Sequence, residues 1–115
     1  MNILFICTAN RDRSRTAEIY FQNKYPEHRF RSAGINKFLS ERHGGIYVKK
    51  YMLDIADRIV CMEQVHSDWI CEKVDKKYLS KIEVLELGDT KNFLSPELIE
   101  KLESKFILNL PNNNE

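Results

Sequence analysis

The segment NILFICTANRDRSRTAE, residues 2–18, joins a continuous apolar run to a polar stretch that holds one cysteine and three arginines. A short uninterrupted apolar run is typical of a β-strand that is covered on both faces. Apolar side chains then recur at helical spacing from Ala17 to Tyr25, and Ser14 is a favourable N-cap residue for this helix. The segment therefore predicts a strand, a loop that starts at Cys7, and a helix.

The rest of the chain continues this alternation of strands and helices. Further strands are predicted at 28–34, 56–62 and 81–87, and further helices at 65–78 and from 96 onward. Ser95 and Pro96 favour an N-cap followed by proline in the first helical position. The polar stretch from 35 through Gly45 predicts a mobile loop. Strands separated by helices of this length predict an α/β fold, with a parallel sheet covered by helices on both faces.

Length, charge and cysteine content narrow the class of protein. The 115 residues suit a single domain over 1–110, with 111–115 as a frayed C-terminal tail. A net charge of +1 argues against a nucleic-acid or membrane partner, and the start MNILFIC has no basic leader for export. Three widely spaced cysteines do not predict a disulfide framework. We expect a cytoplasmic protein, in which an unusual thiol is more often catalytic or metal-binding.

Arg13 is placed to bind an oxyanion such as phosphate, and Cys7 is placed to attack its central atom. In parallel α/β sheets ligands bind beyond the carboxyl ends of the strands, and Cys7 lies at such an end. Backbone N–H groups of a loop that leads into a helix form an anion site, and the planar guanidinium of Arg13 suits two phosphate oxygens. The same donors, with a hydrogen bond from Ser14, favour the nucleophilic thiolate of Cys7. Asn10 tolerates the left-handed backbone that so tight a loop requires.

The loop resembles that of the low-molecular-weight protein tyrosine phosphatases, which reads C-x-x-N-x-x-R-S near the start of the chain. Cys7, Asn10, Arg13 and Ser14 match this motif position by position. The likeness covers most of the chain, in the spacing of a short bacterial branch of the family, and is weak from 35 to 55. It includes the stretches TAE (16–18), RSAG (31–34), ADRIVCM (56–62) and SPELIEKL (95–102).

This resemblance implies a three-layer α/β/α sandwich with a four-stranded parallel sheet and the flavodoxin-like topology of that family. It also implies hydrolysis of protein phosphotyrosine or small aryl phosphates through a cysteinyl-phosphate on Cys7, with no metal and no cofactor. A phosphate or sulfate ion is expected in the phosphate-binding loop. The residues of that loop are Thr8, Ala9, Asn10, Arg11, Asp12, Arg13 and Ser14.

The general acid of the family's mechanism is an aspartate on the loop after the last strand. The matching stretch is LGDTKNF, residues 87–93, which makes Asp89 the candidate acid, although GDT is also a favourable turn. The proline and the aromatic residue usual after that aspartate are absent. Phe93 or Tyr47 is therefore the candidate for the wall against a phosphotyrosine ring.

Two positions of the loop depart from the family's pattern. Asp12 stands where many relatives carry a second cysteine, and its charge would oppose a thiolate unless it points outward or pairs with Arg11 or Arg15. Ala9 stands where glycine is frequent, a replacement that a negative φ permits.

Other interpretations of the same residues stay open. Cys7 at a strand end is also consistent with a small buried hydrophobic residue. A thiol-dependent arsenate reductase shares this fold and loop but needs further cysteines as a relay, and Cys61 and Cys71 do not fall at that spacing. A phosphate- or phosphopeptide-binding module would keep the loop without turnover. No role is predicted for the histidines His28, His43 and His66.

Overall fold

The computed structural model describes residues 1–88 and 92–108 and shows a parallel α/β fold. Its strands are Asn2–Cys7 (β1), Arg29–Gly34 (β2), Arg58–Cys61 (β3) and Ile82–Val84 (β4). Its α-helices are Arg13–Lys24 (α1), Lys37–Arg42 (α2), Lys50–Ile55 (α3), Gln64–Lys73 (α4) and Pro96–Lys105 (α5). A 3₁₀ helix, Lys76–Lys81, leads into β4.

The sheet consists of parallel strands in the order β2-β1-β3-β4. The side chains of β1, a central strand, alternate between two cores, with Ile3 and Phe5 in one and Leu4 and Ile6 in the other. Helices α1 and α5 contribute to the first core, and α3 and α4 contribute to the second. The predicted α/β/α sandwich with a four-stranded parallel sheet is confirmed, and its strand order agrees with a flavodoxin-like topology.

Phe5 is the centre of an aromatic cluster that holds the first helical layer on the sheet, and it is completely buried. Its ring centroid lies 5.8 Å from that of Phe21 in α1 and 6.0 Å from that of Phe30 in β2. The ring of Phe106, just after α5, lies 5.2 Å away in an edge-on arrangement. Such ring pairs add stabilisation beyond burial alone, so α1 is held firmly beside β1.

The segment between β2 and β3 differs from the loop that is predicted from 35 through Gly45. It contains the helices α2 and α3. The side chain of Asn36 caps α2 by accepting from the main-chain N–H of Leu39 at 2.9 Å. The N–H of Val48 donates to the Gly34 carbonyl at 2.9 Å and so returns the chain to the sheet. The prediction is wrong because a polar composition does not reveal such capping and long-range pairing.

Most other elements are confirmed with different bounds. Helix α1 includes Ser14, which is buried, and the N-cap position belongs to Asp12, so the N-cap assignment of Ser14 is wrong. The helix expected over 65–78 is divided into α4 and the 3₁₀ helix. Ser95 caps α5 as predicted, accepting from the Leu98 N–H at 3.2 Å. The tail 111–115 lies outside the described residues.

Within the ranges 1–88 and 92–108, no helix combines the length and the apolar character needed to cross a bilayer.

Arg58 ties the C-terminal segment to the edge of the sheet, and its removal tests that connection. The buried guanidinium pairs with the Glu83 carboxylate and donates to the carbonyls of Ile107 at 2.8 Å and Leu108 at 2.7 Å. Arg58→Met keeps the apolar stem and removes every donor. We expect a loss of about 2–4 kcal/mol in the free energy of unfolding, measured by urea denaturation, because these acceptors lose their partners.

The matched control is Arg29→Met, on an exposed residue at the start of β2. It should change the free energy of unfolding by less than about 0.5 kcal/mol. Equal effects of the two variants would contradict a special role for Arg58.

Candidate active site

The residues between β1 and α1 form a tight loop around the Cys7 sulfur. Asn10 takes the left-handed conformation, with a φ of 50°, as its sequence position predicts. Its main-chain N–H donates to Cys7 Sγ at 3.2 Å, and Ser14 Oγ lies 2.8 Å from the same sulfur. Ala9 does not take a positive φ, so the loop accommodates alanine without backbone strain. Cys7 is 3% exposed and forms the floor of the loop.

Ser14 is oriented to donate a hydrogen bond to the sulfur. Asn10 Nδ2 donates to Ser14 Oγ at 2.9 Å, so the hydroxyl accepts that hydrogen and directs its own toward Cys7 Sγ. The sulfur therefore accepts two hydrogen bonds, one from a backbone amide and one from a hydroxyl. Such donors stabilise a thiolate over a thiol.

The rest of the Asn10 amide fastens the loop to its surroundings. Nδ2 also donates to Ser32 Oγ of β2 at 2.8 Å, and Oδ1 accepts from the main-chain N–H of Ile46 at 2.8 Å. Asn10 is 2% exposed, so these hydrogen bonds are shielded from water. The loop is thereby joined both to the sheet and to the chain that precedes α3.

Two glycines, Gly34 at the end of β2 and Gly45 after α2, let the chain approach the back of the loop. A Cβ on Gly34 would lie 2.2 Å from Ser40 Oγ and 2.7 Å from the Thr8 carbonyl oxygen. A Cβ on Gly45 would lie 2.6 Å from the Asn10 carbonyl oxygen. Real Cβ atoms do not approach so closely, so both positions need glycine for the loop to keep its support.

Arg13 is held at one end of its guanidinium. Nη1 donates to Glu63 Oε2 at 3.3 Å and to the Gly88 carbonyl at 3.1 Å, and Glu63 Oε2 also accepts from the Gly88 N–H at 2.6 Å. Among the described residues, Nη1 is the only nitrogen of the Arg13 guanidinium that makes hydrogen bonds. The Nε and Nη2 edge is therefore left to bind an oxyanion through two parallel hydrogen bonds.

A cleft of about 250 Å³ opens above the loop, lined by Cys7, Thr8, Ala9, Arg11, Asp12, Arg13, Leu39 and His43. Cys7 and Arg13 thus share one cleft, as the sequence predicts, and its opposite wall comes from Leu39 and His43 in and after α2. No group of three His, Cys, Asp or Glu side chains among the described residues is placed to hold a metal ion. The donors of this cleft suit an anion.

The two aromatic candidates for a wall do not line this cleft. Tyr47 packs edge-on against Trp69 in the second core, with 6.3 Å between ring centroids. Phe93 lines a neighbouring groove together with Arg11, Asp12 and Arg15. Because Arg11 and Asp12 also line the cleft, the groove of Phe93 borders it, and the assignment of a wall to Phe93 or Tyr47 stays a prediction. Trp69 lies on α4, so the ring of Tyr47 packs toward the second core.

Of the two aspartates singled out in the sequence, the structure describes one. Asp12 lines the cleft, and its Oδ1 lies 3.9 Å from Arg11 Nε, which offsets part of its charge. Asp89 lies outside the described residues. Gly88, which directly precedes it, is the residue bound by Glu63 and Arg13.

Two residues of the site escape the sequence analysis, Glu63 and His66. His66 is completely buried; its Nδ1 lies 3.0 Å from the Glu63 main-chain nitrogen and its Nε2 lies 3.0 Å from Thr8 Oγ1. Burial, and then the charge of Arg13, lower the pKa of His66 to about 4. Glu63 and His66 are polar residues three positions apart, shortly after the end of β3 and at the start of α4. This spacing is typical of a helix N-terminus and could have indicated them.

No family model matches the sequence, and no curated protein matches it. The fold matches solved structures. The YwlE arginine phosphatase from Geobacillus stearothermophilus is 24% identical, covers 90% of this chain and 91% of its own, and has a TM-score of 0.64. The tyrosine phosphatase Wzb from Escherichia coli K30, in complex with phosphate, is 20% identical over 90% and 91% of the two chains, with a TM-score of 0.68. A low-molecular-weight protein tyrosine phosphatase from T. tengcongensis is 22% identical over 92% and 99%, with a TM-score of 0.64. The chain thus has the fold of the low-molecular-weight phosphatases.

Proposed function

We propose that this protein is a cysteine-dependent phosphatase that hydrolyses phosphomonoesters through a cysteinyl-phosphate on Cys7. One observation carries the proposal. The Cys7 sulfur accepts two hydrogen bonds at the floor of a cleft that it shares with Arg13, whose Nε and Nη2 edge suits a phosphate group. A nucleophile, donors to its anionic form and a bidentate anion partner are the parts that phosphoryl transfer to sulfur requires.

The reaction divides into two steps. The phosphoryl oxygens bind the loop N–H groups and Arg13, and the Cys7 thiolate attacks phosphorus as the bond to the leaving oxygen breaks. A carboxylic acid, which we assign to Asp89, gives that oxygen its proton. The resulting carboxylate then takes a proton from water, the water oxygen attacks phosphorus, and sulfur leaves as a thiolate. Ser14 stabilises that leaving thiolate through its hydroxyl.

The assignment of Asp89 rests on its neighbour. Gly88 is bound on both its N–H and its carbonyl by Glu63 and Arg13, so the chain enters the acid's loop at the edge of the phosphate site. We therefore assign the acid to Asp89, the next residue in the sequence. Asp12, which lines the cleft, is the alternative acid.

We assign protein phosphotyrosine or a small aryl phosphate as the substrate and the cytoplasm as the compartment, where a thiol nucleophile stays reduced. Two of the three structures compared above are named tyrosine phosphatases. An arsenate reductase is disfavoured because Cys61, a potential relay thiol, is completely buried in the second core. Burial raises the pKa of the Cys61 thiol to about 12, which leaves it a poor nucleophile.

Phosphoarginine is the second candidate substrate, favoured by the carboxylate of Asp12 in the cleft wall. An aspartate there can pair with a guanidinium leaving group, and one of the three structures compared above is named an arginine phosphatase. Asp12→Asn should then lower hydrolysis of a phosphoarginine peptide by at least ~10-fold and leave phosphotyrosine hydrolysis within ~3-fold. Equal rates of the variant and the wild type on phosphoarginine would remove this candidate.

Cys7→Ser tests the nucleophile. We expect hydrolysis of p-nitrophenyl phosphate to fall by about 10³-fold or more, because a serine hydroxyl is a far weaker nucleophile at neutral pH. Phosphate binding, measured by calorimetry, should stay within ~3-fold because the donors remain. The matched control is Cys71→Ser in α4, which should keep its activity. Appreciable turnover by Cys7→Ser would show that another group attacks phosphorus.

Asp89→Asn tests the acid. A phenolate with a pKa near ~10 needs a proton to leave, so the rate on phosphotyrosine should fall by about 10²–10³-fold. p-Nitrophenyl phosphate, whose leaving group departs without a proton, should lose less and should show a burst if the second step becomes limiting. The basic limb of the pH–rate profile should flatten, as expected when the group that must stay protonated is removed.

The matched control for this variant is Asp68→Asn, on an exposed residue of α4. Its rates on both substrates should equal those of the wild type. If Asp89→Asn shows equal small losses on the two substrates and an unchanged profile, Asp89 is not the acid.

A further inference from the structure

Thr8 and His66 form a hydrogen bond beside the cleft that the proposed reaction does not use. Thr8 Oγ1 lies 3.0 Å from His66 Nε2. Thr8 lines the cleft, whereas His66, in the first turn of α4, has no exposed surface. The pair therefore connects a buried imidazole to a hydroxyl on the wall of the phosphate site.

The hydrogen bonds of the imidazole determine which of its nitrogens carries hydrogen. Nδ1 lies 3.0 Å from the main-chain nitrogen of Glu63, whose N–H can only donate, so Nδ1 is the acceptor. Burial and the nearby charge of Arg13 keep His66 neutral at physiological pH. A neutral imidazole with an accepting Nδ1 carries its hydrogen on Nε2, and Nε2–H therefore donates to Thr8 Oγ1.

The Thr8 hydroxyl is thus an acceptor toward His66 and keeps its own hydrogen for another partner. We propose that His66 is a positioning residue, which directs the Thr8 hydroxyl hydrogen toward an oxygen of the phosphoryl group above Cys7. This inference rests on the proposed phosphatase function and adds a side-chain donor to the loop amides and Arg13. Without the imidazole the hydroxyl rotates freely and its hydrogen bond to the anion loses orientation.

The same geometry excludes His66 as the acid or base of the reaction. Nε2 already holds its hydrogen and Nδ1 is occupied by the Glu63 N–H, so the imidazole neither gives nor takes a proton at the cleft. Its effect passes through Thr8. Variants that separate the two nitrogens of His66 therefore test the inference.

His66→Asn keeps an acceptor near the Nδ1 position, which preserves the contact with Glu63, and removes the donor to Thr8. His66→Gln is the conservative variant, because its longer amide reaches the Nε2 position. Thr8→Val removes the hydroxyl and keeps the shape of the side chain. The matched control is His28→Asn, just before β2 at the opposite end of the sheet.

Two measurements are made on each variant: kcat and KM for p-nitrophenyl phosphate, and the affinity for orthovanadate by calorimetry. Thr8→Val and His66→Asn should each lower kcat/KM by about 10- to 100-fold, with a parallel loss of vanadate affinity. His66→Gln should recover most of both losses. In the double variant of Thr8→Val and His66→Asn the loss should equal that of Thr8→Val alone, because His66 acts through the hydroxyl. His28→Asn should match the wild type.

Three outcomes would overturn the inference: wild-type kcat/KM and vanadate affinity in His66→Asn, losses that multiply in the double variant, or a ¹⁵N spectrum with the His66 hydrogen on Nδ1. The vanadate arm separates this inference from the phosphatase proposal. A wild type that binds vanadate without hydrolysing phosphate esters refutes the phosphatase and leaves His66 to be judged on affinity. A wild type that does not bind vanadate refutes both.

Discussion

The loop between β1 and α1 depends on the hydrogen bonds that the main-chain and side-chain amides of Asn10 make. Its main-chain N–H binds the Cys7 sulfur, and its Nδ2 determines the direction of the Ser14 hydroxyl toward the same atom. The same Nδ2 donates a second hydrogen bond to Ser32 Oγ, and the side-chain oxygen Oδ1 accepts from the Ile46 N–H. An aliphatic side chain here would leave several buried polar groups without partners, at about 1–3 kcal/mol each. The backbone at this position is also left-handed, a conformation that asparagine tolerates better than most residues.

This amide belongs to a buried polar network that extends from the sulfur into α1. The Ser32 hydroxyl accepts from Asn10 and donates to the carboxylate of Glu18, so β2 and α1 are joined through the floor of the site. A fully hydrogen-bonded buried network is rigid because no member can rotate without losing a partner. The aromatic core around Phe5 lies on the same face of the sheet as α1. The loop therefore receives its shape from two layers of contacts, one polar and one apolar.

The parts of the site that could be predicted from the sequence are those close together in the chain. Cys7, Asn10, Arg13 and Ser14 lie within one strand–loop–helix unit, whose periodicity and spacing indicate the loop directly. The partners that support this loop come from distant segments, such as Glu63, the N-cap of α4, and His66 in its first turn. Periodicity carries no information on which helix terminus meets which strand end.

The helices α2 and α3 escape prediction for a related reason. Six residues each are too few for a helical pattern to emerge. Their positions follow from tertiary contacts, namely the pairing of Val48 with Gly34 and the close approach that Gly45 permits. The same holds for Tyr47, whose partner Trp69 is distant in sequence.

The hydrogen bonds of Gly88 with Arg13 and Glu63 have a thermodynamic consequence for anion binding. One guanidinium serves two tasks, with Nη1 on the Gly88 carbonyl and its opposite edge available to an anion. Linkage between two such contacts is reciprocal: if binding of the anion restricts Arg13 and so strengthens its contact with Gly88, fixing Gly88 strengthens anion binding by the same factor. Under that condition, an occupied cleft and the contact between Arg13 and Gly88 favour one another, and release of the anion weakens the contact.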